Sequence, residues 1–179
     1  MRGAIVRRIR GLSQTDGIHL RAAEGWLDLG DMVSASDELE EISAEARAHP
    51  LVLFVRYEIY ARAGKWDMAT EVSNALTKIL PDEPTAWAFF AYATRRKTGG
   101  SITQAKLILL EAEPKFPSDY QFPFNLACYC AQLHQLDEAE KWLEKAIEID
   151  TETVRGLAID DPDLKPLWDS MKGTLRKQE

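Results

Sequence analysis

Four alanines, Ala35, Ala69, Ala105 and Ala139, recur at intervals of 34, 36 and 34 residues, and each carries the same neighbourhood. Five residues before each stands a turn residue (Gly30, Gly64, Gly100, His134), and three before stands an apolar one (Met32, Trp66, Ile102, Leu136). Four residues beyond come Leu39, Ser73, Leu109 and Leu143; seven beyond come Ile42, Leu76, Ala112 and Ala146. A period that regular means stacked copies of one small unit, because a unit of this length cannot bury its apolar side alone and does so against the next copy.

Each unit reads as two helices. Leu20, Ala23 and Trp26 form a stripe that Gly30 breaks; Leu53, Tyr57 and Tyr60 precede Gly64; Trp87, Phe90, Ala91 and Thr94 precede Gly100; Leu126, Ala127 and Cys130 precede His134. These are spacings of three and four, which mark helices, whereas strands alternate in twos. Pro50 and Pro84 suit first-turn positions, Gly64 and Gly100 suit the left-handed residue that ends a helix, and Ser101 with Gln104 forms a capping-box pattern. The two extra residues of the third unit fall within Arg95 to Gly99 and leave the packing positions in register. Units at 16–49, 50–83, 84–119 and 120–150 therefore form a continuous array of eight helices. Two short capping helices follow over 151–179, from Thr151 to Ala158 and from Leu164 to Leu175, with Val154, Leu157, Leu164, Leu167 and Trp168 covering the apolar end of the last unit.

These residues resemble the tetratricopeptide repeat family, whose 34-residue helix-turn-helix unit sets large residues and a small one on its first helix, then a Gly, Ala and apolar pattern, often closed by Pro. The unit from Pro50 to Pro81 matches best, with Tyr57, Tyr60, Gly64, Ala69, Leu76 and Pro81 in phase. Departures are Arg56 at a place usually apolar, Pro123 early in a first helix, and three surplus residues before Pro50. The resemblance implies an all-α fold, antiparallel helix-turn-helix repeats stacked into a right-handed superhelix, an α-solenoid. It also implies that first helices line a concave groove for a partner's segment. Carried over by register, that groove holds Phe54, Glu58, Arg62, Tyr92, Arg95, Phe124, Asn125 and Gln132. Some family members grip a terminal carboxylate with Lys and Asn at fixed groove places; here Phe54 and Glu58 occupy such places and only Asn125 matches. Arg95, Arg96 and Lys97 suit either a grip on an acidic tail or a solvated helix end.

Composition narrows the function. The net charge of -7 argues against nucleic-acid binding by the body of the chain. Residues 1–15 carry Arg2, Arg7, Arg8 and Arg10 and no acid, so they read as a docking helix, a basic arm or an organelle presequence, and a membrane contact falls to this arm alone. Cys128 and Cys130, two apart on a helix, point in different directions, which fits neither a mutual disulfide nor joint metal ligation and suggests a reducing, cytoplasmic setting. No phosphate loop, nucleophile elbow or zinc-protease pattern is present, so neither enzyme activity nor a cofactor is expected.

The expected function is a non-enzymatic adaptor or scaffold that binds a protein or peptide segment. The rivals are an assembly protein or secretion-type chaperone acting through subunit binding or self-association, and a basic-armed membrane or nucleic-acid anchor. Removing residues 1–15 separates the first from the last: an adaptor keeps partner capture in a pull-down, whereas an anchor loses it.

Overall fold

The computed structural model describes residues 11–167; the basic residues of the arm up to Arg10, and Trp168 with the rest of the expected second capping helix, lie outside that range. Within it the chain is all-α, with nine α-helices and no strand among the described residues. In chain order these are α1 (Gln14–Asp28), α2 (Met32–Glu40), α3 (Pro50–Arg62), α4 (Trp66–Ile79), α5 (Pro84–Thr94), α6 (Ile102–Ala112), α7 (Gln121–Gln132), α8 (Leu136–Ile149) and α9 (Thr151–Asp160). Short 3-10 turns follow at Ala44–Ala46, Glu113–Lys115 and Pro162–Leu167. The chain divides into two compact units at Thr98/Gly99, inside the lengthened turn of the third repeat.

Each second helix begins at the apolar residue three before the marker alanine: Met32, Trp66, Ile102 and Leu136. The four alanines have no exposed surface, and all eight positions four and seven beyond them are at most 4% exposed. A side chain ending at Cβ is what lets neighbouring helices approach closely at a crossing. Ser73 is the polar member of this set, and its hydroxyl donates to the Ala69 carbonyl at 2.7 Å, so no polar group is stranded.

In the first unit, α1, α2 and α3 share one core of Leu20, Ala23, Leu27, Ala35, Leu39, Ile42, Val52, Val55 and Ile59. Here the structure corrects two stripes. Trp26 is 38% exposed and Leu27 takes its place inside; α3 buries Val52, Val55 and Ile59 besides Tyr57. A helix inside an array packs on two sides. The first three of these residues face the preceding repeat, while Tyr57 joins Ala69 and Ala93 in a second cluster across α4 and α5.

Three of the four intra-repeat turns are the same object. The amides of Asp31, Lys65 and Gln135 reach back five residues to the carbonyls of Trp26, Tyr60 and Cys130, at 2.9, 2.8 and 2.9 Å, around a left-handed residue: Gly30, Gly64 or His134. This is a Schellman closure. The third repeat differs: the left-handed residue is Gly99 (φ 66°), one before the expected Gly100, because the inserted residues lengthen the turn beyond α5. Ser101 then caps α6 as expected, accepting from the Gln104 amide at 3.2 Å.

The departures from the repeat pattern are accommodated locally. Pro123 is the third residue of α7, where its missing N–H takes no intrahelical bond. Arg56 meets Glu40 at 3.4 Å, and the surplus residues before Pro50 form the Ala44–Ala46 turn. That loop is tied to α1 by Asp16, which accepts from the Ser43 amide at 2.8 Å. The Ser13 hydroxyl and the Ser43 amide hold the Asp16 carboxyl below the usual carboxylate range.

In the second unit, Lys106 of α6 reaches Gln135 and Glu138, both at 2.8 Å, and Lys145 meets Glu113 at 2.6 Å. Burial opposes the Lys106 charge, but Glu138 and Cys130 outweigh it and the ammonium is held above its ordinary value. The cap is α9 followed by the Pro162–Leu167 turn. Val154, Ala158, Leu164 and Leu167 are buried; Leu157, expected to be covered, is 45% exposed because Ala158 lies one turn on from Val154 on the inward face.

Two outcomes follow. His134 carries a Cβ at φ 58°, where glycine has no such penalty, so His134→Gly should raise stability by about 1 kcal/mol in urea denaturation. His49 caps α3 by accepting from the Leu51 amide at 3.3 Å, and burial lowers its pKa below 6.5. The folded state then binds the proton less readily than the unfolded chain, so stability is intact above that value and falls as pH drops below it. His49→Asn, which keeps an acceptor, should flatten this part of a stability profile against pH.

Candidate peptide-binding face

The residues carried over by register lie on α3 and α5 in the first unit and on α7 in the second. The first of them, Phe54, is half-buried and set edge-on to Phe89 of α5, with centroids 6.0 Å apart; Phe89 in turn stacks on Tyr57 at 3.9 Å. One turn along α3, Glu58 pairs with Arg62 at 3.7 Å. Arg62 also donates to the Leu27 carbonyl at the end of α1, so this arginine joins the first two repeats while leaving its side chain 43% exposed.

Tyr92 is the exposed member, at 44%, on a helix whose Trp87, Ala91 and Ala93 are buried. Its ring meets Trp66, the first residue of α4, edge to face at 5.8 Å. Arg96 lies over both rings, its guanidinium carbon 3.5 Å from the Tyr92 centroid and 5.5 Å from that of Trp66. It also donates to the Tyr92 carbonyl at 3.2 Å. Arg95 is half-buried at the end of the same helix. Sequence reasoning named Tyr92 and Arg95 but missed Arg96, Trp66 and Phe89 as partners of the rings. For Arg96 the four-residue step from Tyr92 was the available signal, since residues so spaced face each other on a helix; Trp66 and Phe89 meet their partners across helices, where spacing gives no signal.

The second unit presents a different face. Phe124 is 8% exposed, and Asn125 donates its side-chain amide to the Gln121 carbonyl at 2.7 Å. Gln132 donates to the carbonyl of Asp163 at 3.2 Å, and the Cys128 thiol lies 3.7 Å from the Asp161 carboxylate. The chain's own Asp161–Leu167 segment thus takes up Gln132, one of the α7 residues that the register assigns to a partner, and Cys128 one turn before it. Both cysteines are buried and neither forms a disulfide; burial pushes the Cys130 thiol above its ordinary value, with Lys106 pulling the other way.

The histidines of the first unit have local structural partners. His19 pairs with Glu38 at 2.8 Å between α1 and α2, and His49 caps α3. Among the described residues, no three His, Cys, Asp or Glu side chains are grouped to hold a metal. No helix there is long and apolar enough to cross a membrane.

Solved structures share this fold. A MamA fragment from Desulfovibrio magneticus RS-1 superposes with a TM-score of 0.68 over 94% of this chain and 99% of its own, at 16% identity. A thermophilic TPR protein of Thermus thermophilus does so with a TM-score of 0.63 over 91% of each chain, at 18% identity. The chain has the tetratricopeptide repeat fold. MamA MSR-1 gives a TM-score of 0.65 over 77% of this chain and 78% of its own, at 19% identity. No family model and no curated protein matches the sequence.

If the Asp161–Leu167 segment shields α7, then Leu164→Ala with Leu167→Ala should speed labelling of Cys128 by a thiol reagent, while circular dichroism shows the helices retained. Unchanged labelling would mean that the segment does not guard this face.

Proposed function

We propose that the protein is a non-enzymatic interaction module whose first-unit face, formed by α3 and α5, receives a segment of another protein. The observation that carries this reading is Tyr92: a large aromatic ring left 44% exposed on a first helix, in contact with Trp66 and Arg96, in the same unit as Phe54, Glu58, Arg62 and Arg95. Aromatic and arginine side chains contribute most strongly where a partner excludes water from them, since they bring large contact area at small entropic cost. The repeat scaffold supports the same reading, because it fixes its helices through small buried residues and leaves the residues between those positions free to vary. Phe124 and Gln132 contribute less, being engaged within their own unit.

The test is site-specific photo-crosslinking in cells. Benzoylphenylalanine at position 92 should form an adduct with a partner protein, while the same group at position 71, exposed on α4, should not. Phe54→Ala with Tyr92→Ala should weaken binding of that partner about tenfold or more, equivalent to ~1.4 kcal/mol. Equal adducts at both positions, or equal binding by the double variant, would refute the assignment.

A further inference from the structure

The chain is acidic overall, yet one end of its first unit carries an excess of positive charge beside an exposed ring, Tyr92. Arg62 and Lys65 flank the turn that leaves α3, and Arg95, Arg96 and Lys97 follow α5. Two contacts bring these stretches together. Arg96 lies over Trp66, and the Thr98 hydroxyl donates to the Asp67 carboxylate at 2.9 Å, so the segment after α5 rests against the start of α4, directly beyond Arg62–Lys65. Five cations thus gather at one end of the unit.

Within those stretches five cations stand against two carboxylates, Glu58, which pairs with Arg62, and Asp67, which accepts from Thr98. Helix α5 contributes no charged side chain of its own. The cations sit around apolar surface, with Tyr92 at 44% and Met68 at 43% exposure. At 3.5 Å from the ring centroid, the Arg96 guanidinium lies on the face of Tyr92. A guanidinium stacked in this way keeps its N–H fork in its own plane, the geometry that receives a carboxylate in a bidentate pair.

We propose that this end of the first unit, Arg62, Lys65, Arg95, Arg96 and Lys97 around Tyr92 and Trp66, is a docking site for an acidic protein segment that also carries an apolar side chain. The proposal rests on the interaction-module reading and specifies its partner. Charge complementarity selects this occupant: an acidic segment is repelled by the body of a chain of net charge -7 and attracted where cations exceed carboxylates. The rings give its apolar residue a surface to cover, and Arg96 on the face of Tyr92 fixes its orientation. A basic segment would meet repulsion at the same place.

The test uses fluorescein-labelled dodecapeptides and fluorescence anisotropy with the full chain. One peptide sets aspartates and glutamates around a leucine and a phenylalanine; a second replaces the acids by lysine, and a third replaces the apolar pair by serine. The acidic apolar peptide should bind about tenfold or more tightly than either counterpart, and should weaken as salt rises from about 0.02 to about 0.2 M. Arg95→Glu/Arg96→Glu/Lys97→Glu should lose about tenfold or more of that binding. Lys65→Glu/Lys97→Glu, which touches no ring contact, should lose severalfold even if the triple variant folds poorly, and Lys141→Glu on α8 should lose nothing. Equal binding of the lysine peptide, or full binding by the Lys65→Glu/Lys97→Glu variant, would overturn the proposal. If position 92 crosslinks a partner while the acidic peptide fails to bind, this inference falls and the interaction-module reading stands; if position 92 also forms no adduct, both fall.

Discussion

Close approach of helices at four alanines is the constraint on which the structure depends. Each sits in the first turn of a second helix with no surface left to solvent, and the residues four and seven beyond it fill the space below. Interiors are packed as densely as organic crystals, so a position that admits only a methyl group fixes how its helix lies against the neighbours. Repetition of that position propagates the geometry. The turns obey the same economy: three share one hydrogen-bond closure, and the repeat with extra residues absorbs them in a loop without displacing Ala105.

The two units make different use of their first helices. In the second, the Asp161–Leu167 segment lies on α7, burying Leu164 and Leu167 and taking up Gln132 and Cys128. In the first, Tyr92 stands exposed on α5 with Arg96 laid across it, while Phe54 on α3 stays half-buried against Phe89. Equivalent positions in a repeat serve as core in one copy and as surface in another, because the scaffold requires only its small and large packing residues. This is why the face on α3 and α5, and not the one on α7, is the better candidate for an external partner.

The fold was legible because packing repeats: the alanine register gave the second-helix starts at Met32, Trp66, Ile102 and Leu136 and the buried positions beyond them. What was not legible depends on a second contact face. Val52, Val55 and Ile59 were passed over because a stripe of one period describes one neighbour, whereas α3 has two. Trp26 was assigned to the core on spacing, although Leu27 next to it faces inward. The side chains around the proposed face were less legible. Tyr92 was named by register and Arg96 stands four residues on, while the contact of both with Trp66 depends on how the segment after α5 folds back on α4, which no single-helix pattern encodes. The involvement of Gln132 with Asp163 was hidden for the same reason, since it joins residues 31 positions apart.

The most direct measurement of the packing claim is equilibrium denaturation of Ala69→Leu and Ala139→Leu, one in each unit, with helix content checked by circular dichroism. If these alanines mark obligatory close approach, each leucine should cost about 1 to 3 kcal/mol by overpacking. Undiminished stability in both variants would show that the sites have room to spare, and the alanine register would then not be what holds the repeats together.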